Sequence, residues 1–149
     1  MFVGFGKDIH RLEKKNKKIL LGGIEIKSEY SIISHSDGDI LFHAISRSIL
    51  GALSLEDIGI YFPNDKKNIN LNSYEILNFS INKMKESNLN ISNIDITITC
   101  EKIILKDFLL KIKEKLIKDL NCKNISLKAT KFEDKNNDFI LCEVILILT

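Results

Sequence analysis

Hydrophobic and polar positions recur with two different periods along this chain, and the period assigns each segment to strand or helix. Strict alternation marks residues 93–99, where Ile94, Ile96 and Ile98 share one face and Asp95, Thr97 and Thr99 the other. That is the pattern of a sheet covered on one side. Spacings of three and four mark residues 106–121, with Leu109, Ile112, Leu116 and Leu120 inward and lysines outward, and residues 72–86, with Ile76, Leu77, Ile81 and Met84. Residues 37–53 carry Leu41, Ala44, Ile45, Ile49 and Ala52 at the same spacing; Ser36 reads as their N-cap, with Asp39 in a capping-box-like position.

Residues 1–10 begin as a short strand, in which Gly4 and Gly6 imply a bulge or close approach of a ligand to the backbone. The charged stretch 13–18 reads as a solvated loop. Residues 19–21 and 24–26 form a hairpin or bent strand around Gly22-Gly23, and residues 55–65, with the only proline, form an ordered loop. Residues 126–130 and 139–148 close the chain as strands. Strands and helices do not alternate strictly, so the expected class is α+β, a mixed β-sheet with helices packed on one face. Residues 139–148 are apolar on both faces except for Glu143. Either this is a central strand buried within the monomer, or subunits pack sheet to sheet with cyclic symmetry.

The 149 residues are expected to form a single domain, 1–149, large enough to bury roughly 70% of its unfolded surface. Lys and Arg number 22 against 20 Asp and Glu, only Arg11 and Arg47 are arginines, and the lysines are scattered. A nucleic-acid footprint is not expected. Cys100, Cys122 and Cys142 are odd in number, far apart and in no C-x-x-C pair, which argues against a disulfide scaffold and against a cysteine zinc site. They read as reduced core residues of a cytoplasmic protein. The longest apolar run, residues 144–148, is too short to span a bilayer, and no targeting segment or membrane association is expected.

Candidate chemistry concentrates in two motifs that hold all three histidines. Asp8 and His10 are two apart in extended chain, so their side chains share a face. The stretch His35-Ser36-Asp37-Gly38-Asp39-Ile40-Leu41-Phe42-His43 brings two histidines to a helix start, where unpaired N–H groups make His35 and Ser36 a seat for phosphate. Asp8, His10 and His43 together offer one carboxylate and two imidazoles. That set suits Zn²⁺ with its fourth position open, the arrangement of a catalytic site. Asp39, four residues before His43, either orients that ring, hydrogen-bonds substrate hydroxyls, or simply stabilises the helix start.

Gly4-x-Gly6-Lys7-Asp8-Ile9-His10, Leu21-Gly22-Gly23-Ile24, His35-Ser36-Asp37-Gly38-Asp39-x3-His43-Ala44, Asp57-Ile58-Gly59-x2-Phe62-Pro63 and Lys128-Ala129-Thr130-x2-Glu133, in this order and spacing, resemble the 2-C-methyl-D-erythritol 2,4-cyclodiphosphate synthase family. The resemblance implies a homotrimer with active sites at subunit boundaries. Its reaction is cyclisation of 4-diphosphocytidyl-2-C-methyl-D-erythritol 2-phosphate to the cyclic diphosphate with release of CMP, in the non-mevalonate route to isoprenoids. It implies Zn²⁺ on Asp8, His10 and His43, and a second ion, Mg²⁺ or Mn²⁺, held by Glu133 against the diphosphate. Asp8, Ile9, His10, His35 and Ser36 would line the substrate beside the zinc. Asp57, Ile58 and Gly59 would hold the methylerythritol portion, and Phe62, Pro63, Asn64, Asp65 and Lys66 would extend that pocket. Cytidine would lie along Cys100, Leu105 and Lys106, and the phosphates by Thr130 and Glu133, with His35 and Lys131 in catalytic roles. The source would be bacterial and cytoplasmic, or a plastid stroma after loss of a targeting segment.

The C-terminal half departs from the family pattern. Ile103 and Ile104 replace a Pro-Lys pair, Lys131 replaces a second threonine, and a glycine-rich loop with an arginine becomes Asp134-Lys135-Asn136-Asn137-Asp138. Two other readings use the same residues: a phosphohydrolase with zinc-bound hydroxide as nucleophile, and a zinc- and cytidine-nucleotide-binding trimer with impaired catalysis.

Overall fold

The computed structural model describes residues 1–63 and 71–149, apart from the side chains of residues 16 and 17. Strands β1 (Phe2–Leu21) and β2 (Ile24–Ile32) are followed by helices α1 (Ile40–Ala52), α2 (Ile58–Tyr61) and α3 (Ser73–Glu86). Strand β3 (Ile91–Cys100), a 3₁₀ turn at Lys106–Phe108, helix α4 (Leu109–Leu120), β4 (Ile125–Thr130) and β5 (Phe139–Leu148) complete the chain. The sheet order is β2-β1-β5-β3-β4, with β3 and β4 parallel and the other neighbours antiparallel. The fold is therefore the expected α+β arrangement on a mixed sheet.

Alternation decides which sheet face is covered. Ile94, Ile96 and Ile98 of β3, with Ile140, Cys142, Val144, Leu146 and Leu148 of β5, are fully buried in one core with Ala44, Ile45 and Ile49 of α1 and Ile112 and Leu116 of α4. The opposite face exposes Val3, Phe5, Ile9 and Ile145 by 64, 56, 46 and 52%. A central position for β5 thus explains its inner apolar row but leaves the outer row in water, a patch larger than isolated apolar residues produce.

Three expectations are corrected. The stretch 13–18 is not a loop: β1 continues through it, pairing with β5 up to Arg11 and with β2 from Leu12, with a register shift between Lys14 and Lys17. An edge ribbon tolerates outward lysines while Leu12, Ile19 and Leu21 stay buried. The loop 55–65 contains the short helix α2, started by Asp57, whose side chain accepts from Gly59 N–H. Gly4 and Gly6 mark neither a bulge nor a ligand. A Cβ would lie 1.8 Å from Ser48 O at Gly4 and 1.9 Å from Ala44 O at Gly6, so both glycines exist to let the α1 backbone rest on β1.

Candidate metal centre and its pocket

That close packing sets His43, in the first turn of α1, directly over Asp8 and His10 on β1. Asp8 Oδ2 lies 3.1 Å from His43 Nδ1 and 3.3 Å from His10 Nε2, and the three donor atoms fall within 4.8 Å of one another. Asp8 and His43 are buried, each 8% exposed, with His10 partly open.

The outer bonds of the two rings fix what they present inward. His10 Nδ1 lies 3.0 Å from Ile33 O, an atom that only accepts, so Nδ1 carries the proton and Nε2 faces Asp8 with a lone pair. His43 Nε2 lies 2.9 Å from Ser73 Oγ, whose own proton goes to Asp37 in a short hydrogen bond. Ser73 therefore accepts from Nε2–H, and Nδ1 of neutral His43 also points its lone pair at Asp8. Three acceptors converge on one point with no donor among them. Only a proton or a cation relieves that arrangement, and one carboxylate with two imidazoles is a zinc-type donor set. The residues fit the metal that the sequence motifs imply.

The electrostatics follow. With a proton in that place, hydrogen bonds and charge from His10 and His43 outweigh the upward push of burial and hold the Asp8 carboxyl well below the usual carboxylate range. The hydrogen bond to Asp8 raises His10 above its ordinary value, against the opposing effect of burial.

A pocket of about 290 Å³ opens in front of this centre. Asp8, His10, His43, Ser34, His35, Ser36 and Arg47 form its polar wall, and Ile58, Gly59, Phe62, Pro63, Leu71 and Ile76 the rest. Asp57 stands at its margin, bonded through Oδ1 to Arg47 Nε at 2.8 Å and through Oδ2 to Gly59 N–H at 3.2 Å.

Not every expected residue arrives there. The helix starts at Ile40, with Asp39 as its N-cap, rather than at Asp37 with Ser36 as cap. Asp39 turns away from His43: its oxygens accept from the N–H groups of Gly22, Gly23 and Phe42 at 2.9, 2.7 and 3.2 Å, tying the β1–β2 turn to α1. The orienting partner of His43 is Ser73. Ser36 closes a local turn with Ser34 and Gly38 N–H, and with His35 lines the pocket without crowning the helix. The side chain of Ile9 alternates to the outer sheet face, leaving only its backbone near the site. Asn64, Asp65 and Lys66 lie outside the described residues.

The C-terminal set lies elsewhere in the protomer. Asp8, Cys142, Ile98 and Ala129 form one row across the sheet, which puts β4 three strand spacings from β1, about 14 Å. Thr130, Lys131 and Glu133 are exposed at the end of β4 and just after it, Lys106 is exposed and Cys100 and Leu105 are buried at the end of β3 and just after it, and none of them lines the pocket. Glu133 adopts φ +60, a conformation that turns the chain sharply after β4.

Comparison with known proteins draws on the whole chain, and the sequence model of the YgbB family matches residues 1–148. The chain belongs to the YgbB family. Similar curated proteins include the 2-C-methyl-D-erythritol 2,4-cyclodiphosphate synthase of Mycoplasmoides gallisepticum, 37% identical over 98% of this chain and 95% of the relative. That of Finegoldia magna is 43% identical over 89% of this chain and 85% of the relative. A solved structure of 2C-methyl-D-erythritol-2,4-cyclodiphosphate synthase superposes with TM-score 0.91 at 25% identity, covering 99% of both chains. A Plasmodium falciparum IspF in complex with CDP superposes with TM-score 0.86 at 30% identity, over 99% of this chain and 94% of that one. No helix among the described residues is long and apolar enough to cross a membrane.

Proposed function

We propose that the protein is a phosphorus–oxygen lyase that closes 4-diphosphocytidyl-2-C-methyl-D-erythritol 2-phosphate into 2-C-methyl-D-erythritol 2,4-cyclodiphosphate and releases CMP. The observation that carries this reading is the convergence of three acceptors from Asp8, His10 and His43 at the floor of a pocket in a YgbB-family chain. The nucleophile is the substrate's own 2-phosphate, ionised near neutral pH, so the protein needs no strong general base. Asp8, His10 and His43 would hold a zinc ion there, and it would supply Lewis-acid charge.

The chain's residues bind, fold and shield the substrate. His35 and Ser36 donate to phosphate at the pocket wall, while Asp57 and Gly59 hold the methylerythritol portion bent for in-line attack. Ile58, Phe62 and Pro63 exclude water, which would otherwise compete for the same phosphorus. Thr130 and Lys131 place positive and hydrogen-bonding groups on the diphosphate. Glu133 holds a second ion, Mg²⁺ or Mn²⁺, and the backbone over 100–106 with Lys106 receives cytosine.

These last groups lie at the end of β3 and on β4 and beyond, outside the pocket of their own protomer, so each site is completed by a neighbour. The exposed row of Val3, Phe5, Ile9 and Ile145 supports burial against other copies, and a cyclic homotrimer of one-domain subunits, 1–149, joins the two halves. Such a trimer would work in the cytoplasm. The test is incubation with substrate, Zn²⁺ and Mg²⁺, with CMP measured and the product read by phosphorus NMR. The expected result is a cyclic diphosphate with stoichiometric CMP; a linear phosphate product would overturn cyclisation in favour of hydrolysis.

A further inference from the structure

Arg47 is one of two arginines and lies one helical turn beyond His43 on α1. Its guanidinium spans two carboxylates. Nη1 donates to Asp8 Oδ1 at 2.8 Å and to Lys7 O at 3.1 Å, and Nε donates to Asp57 Oδ1 at 2.8 Å. The two oxygens of Asp8 are thereby divided: Oδ1 belongs to Arg47, and Oδ2 faces His10 and His43. Neither imidazole can enforce that division, because in its neutral form each turns only a lone pair toward Asp8.

We propose that Arg47 is a positioning residue that fixes Asp8 Oδ2 on the metal point and couples it mechanically to the substrate wall at Asp57. This rests on the metal and substrate roles proposed above. A planar fork suits the task, since bonds from Nε and Nη1 hold two carboxylates at a set separation. Asp57 in turn bonds Gly59 N–H at the start of α2, so the carboxylate beside the metal and the pocket wall move as one unit.

The alternative is that Arg47 is only a nearby cation, and the two roles differ in sign. A positive charge close to a dication repels it, so a mere cation weakens zinc binding and its removal tightens it. A positioning residue does the reverse, because losing the outer partner of a metal ligand weakens binding.

The experiment measures the zinc dissociation constant of the full-length metal-free chain by competition with a chromogenic chelator. It compares the native protein with Arg47→Met, Arg47→Lys, Asp57→Ala and the Arg47→Met/Asp57→Ala double variant. Arg47→Met is expected to weaken zinc about tenfold. Arg47→Lys keeps the charge, loses the fork and is expected to weaken zinc to a similar degree. Asp57→Ala alone is expected to cost about threefold, an effect that vanishes in the Arg47→Met background.

Equal or tighter zinc binding by Arg47→Met overturns the proposal, as does an Asp57→Ala effect that persists undiminished in the double variant. A native chain that takes up no zinc overturns both this inference and the metal centre of the proposed function. If the coupling is found but no CMP is released, the reaction fails and the bridge stands; if CMP is released while zinc affinity ignores Arg47, the bridge alone fails.

Discussion

Ser73 Oγ lies 2.9 Å from His43 Nε2, joining the first residue of α3 to a metal-type ligand on α1, 30 residues earlier. Ser73 is fully buried, its hydroxyl is bonded to Asp37, and its backbone N–H donates to the same carboxylate at 2.9 Å. The relay holds the proton on Nε2 and frees Nδ1. Ser73→Ala removes the acceptor while Asp37 keeps the backbone donor, so the fold is expected to survive. Zinc affinity is expected to fall about tenfold, as for other outer partners of ligating histidines. Chelator competition reads the affinity, and nitrogen NMR of the metal-free variant should show His43 as a mixture of tautomers.

Zinc and protons compete for one place between His10 and Asp8. His10 is raised above its ordinary value by its hydrogen bond to Asp8. In the metal-free protein the stability contributed by protonated His10 is therefore complete below the unfolded value and is lost as pH rises through the higher folded value. Asp8, held low, contributes stability above its unfolded value and loses it only as pH falls through the folded one. Zinc requires neutral His10, so below the folded His10 value its affinity is expected to rise at least about tenfold per pH unit. Titrations of zinc against pH measure the slope, and a flat profile would contradict the shared position.

Gly6 is the tightest tie between strand and site. A Cβ there would lie 1.9 Å from Ala44 O and 2.6 Å from Ser48 N, both backbone atoms that retreat only if α1 lifts away. Lifting α1 carries His43 off β1. Gly6→Ala is expected to cost about 3 kcal/mol or more in urea unfolding and to weaken zinc with it.

Gly51, within α1 itself, is the matched control. A Cβ there meets only Phe5 O, at an ordinary 3.6 Å. Gly51→Ala is expected to leave zinc affinity unchanged and to stabilise the chain by about 0.5–1 kcal/mol in the same urea unfolding.

Patterns decided by one element's own period were readable in the sequence. The inner row Ile94, Ile96 and Ile98, the buried stripe of α4 and the shared face of Asp8 and His10 all follow from alternation or helical spacing. Features decided by a distant partner were not. Asp39 stands three residues after a serine like a capping-box acid, yet its oxygens serve a turn 16 and 17 residues earlier. Gly4 and Gly6 looked like room for a ligand because sequence does not say which backbone fills the space. Nothing in the spacing of residues 72–86 marks Ser73 as a partner of His43. Arg47, four residues after His43, had a usable signal: that spacing puts it on the same helix face. Resemblance to a family, rather than any periodicity, was the sole source for Thr130, Lys131 and Glu133, and the single protomer leaves them across the sheet from the pocket.

That separation yields the sharpest test of assembly. If each site combines Asp8, His10 and His43 of one protomer with Lys131 and Glu133 of its neighbour, damage to either half is confined to one side of a subunit boundary. His43→Ala and Glu133→Ala are each expected to be inactive as pure proteins, the first without its metal ligand and the second without its second-ion carboxylate. Unfolded together and refolded as a mixture, they form boundaries in which an intact His43 meets an intact Glu133. With random assembly into cyclic trimers, about a quarter of the boundaries have both halves whole, so about a quarter of native CMP release should return. Sites complete within one protomer would recover nothing, however the chains are mixed. A Phe5→Asp/Ile145→Asp pair on the exposed outer face should abolish the recovery, because a charged row in place of the apolar one removes the surface on which the subunits meet. Light scattering would show monomers for the chains carrying the charged pair and trimers for the mixture that recovers activity.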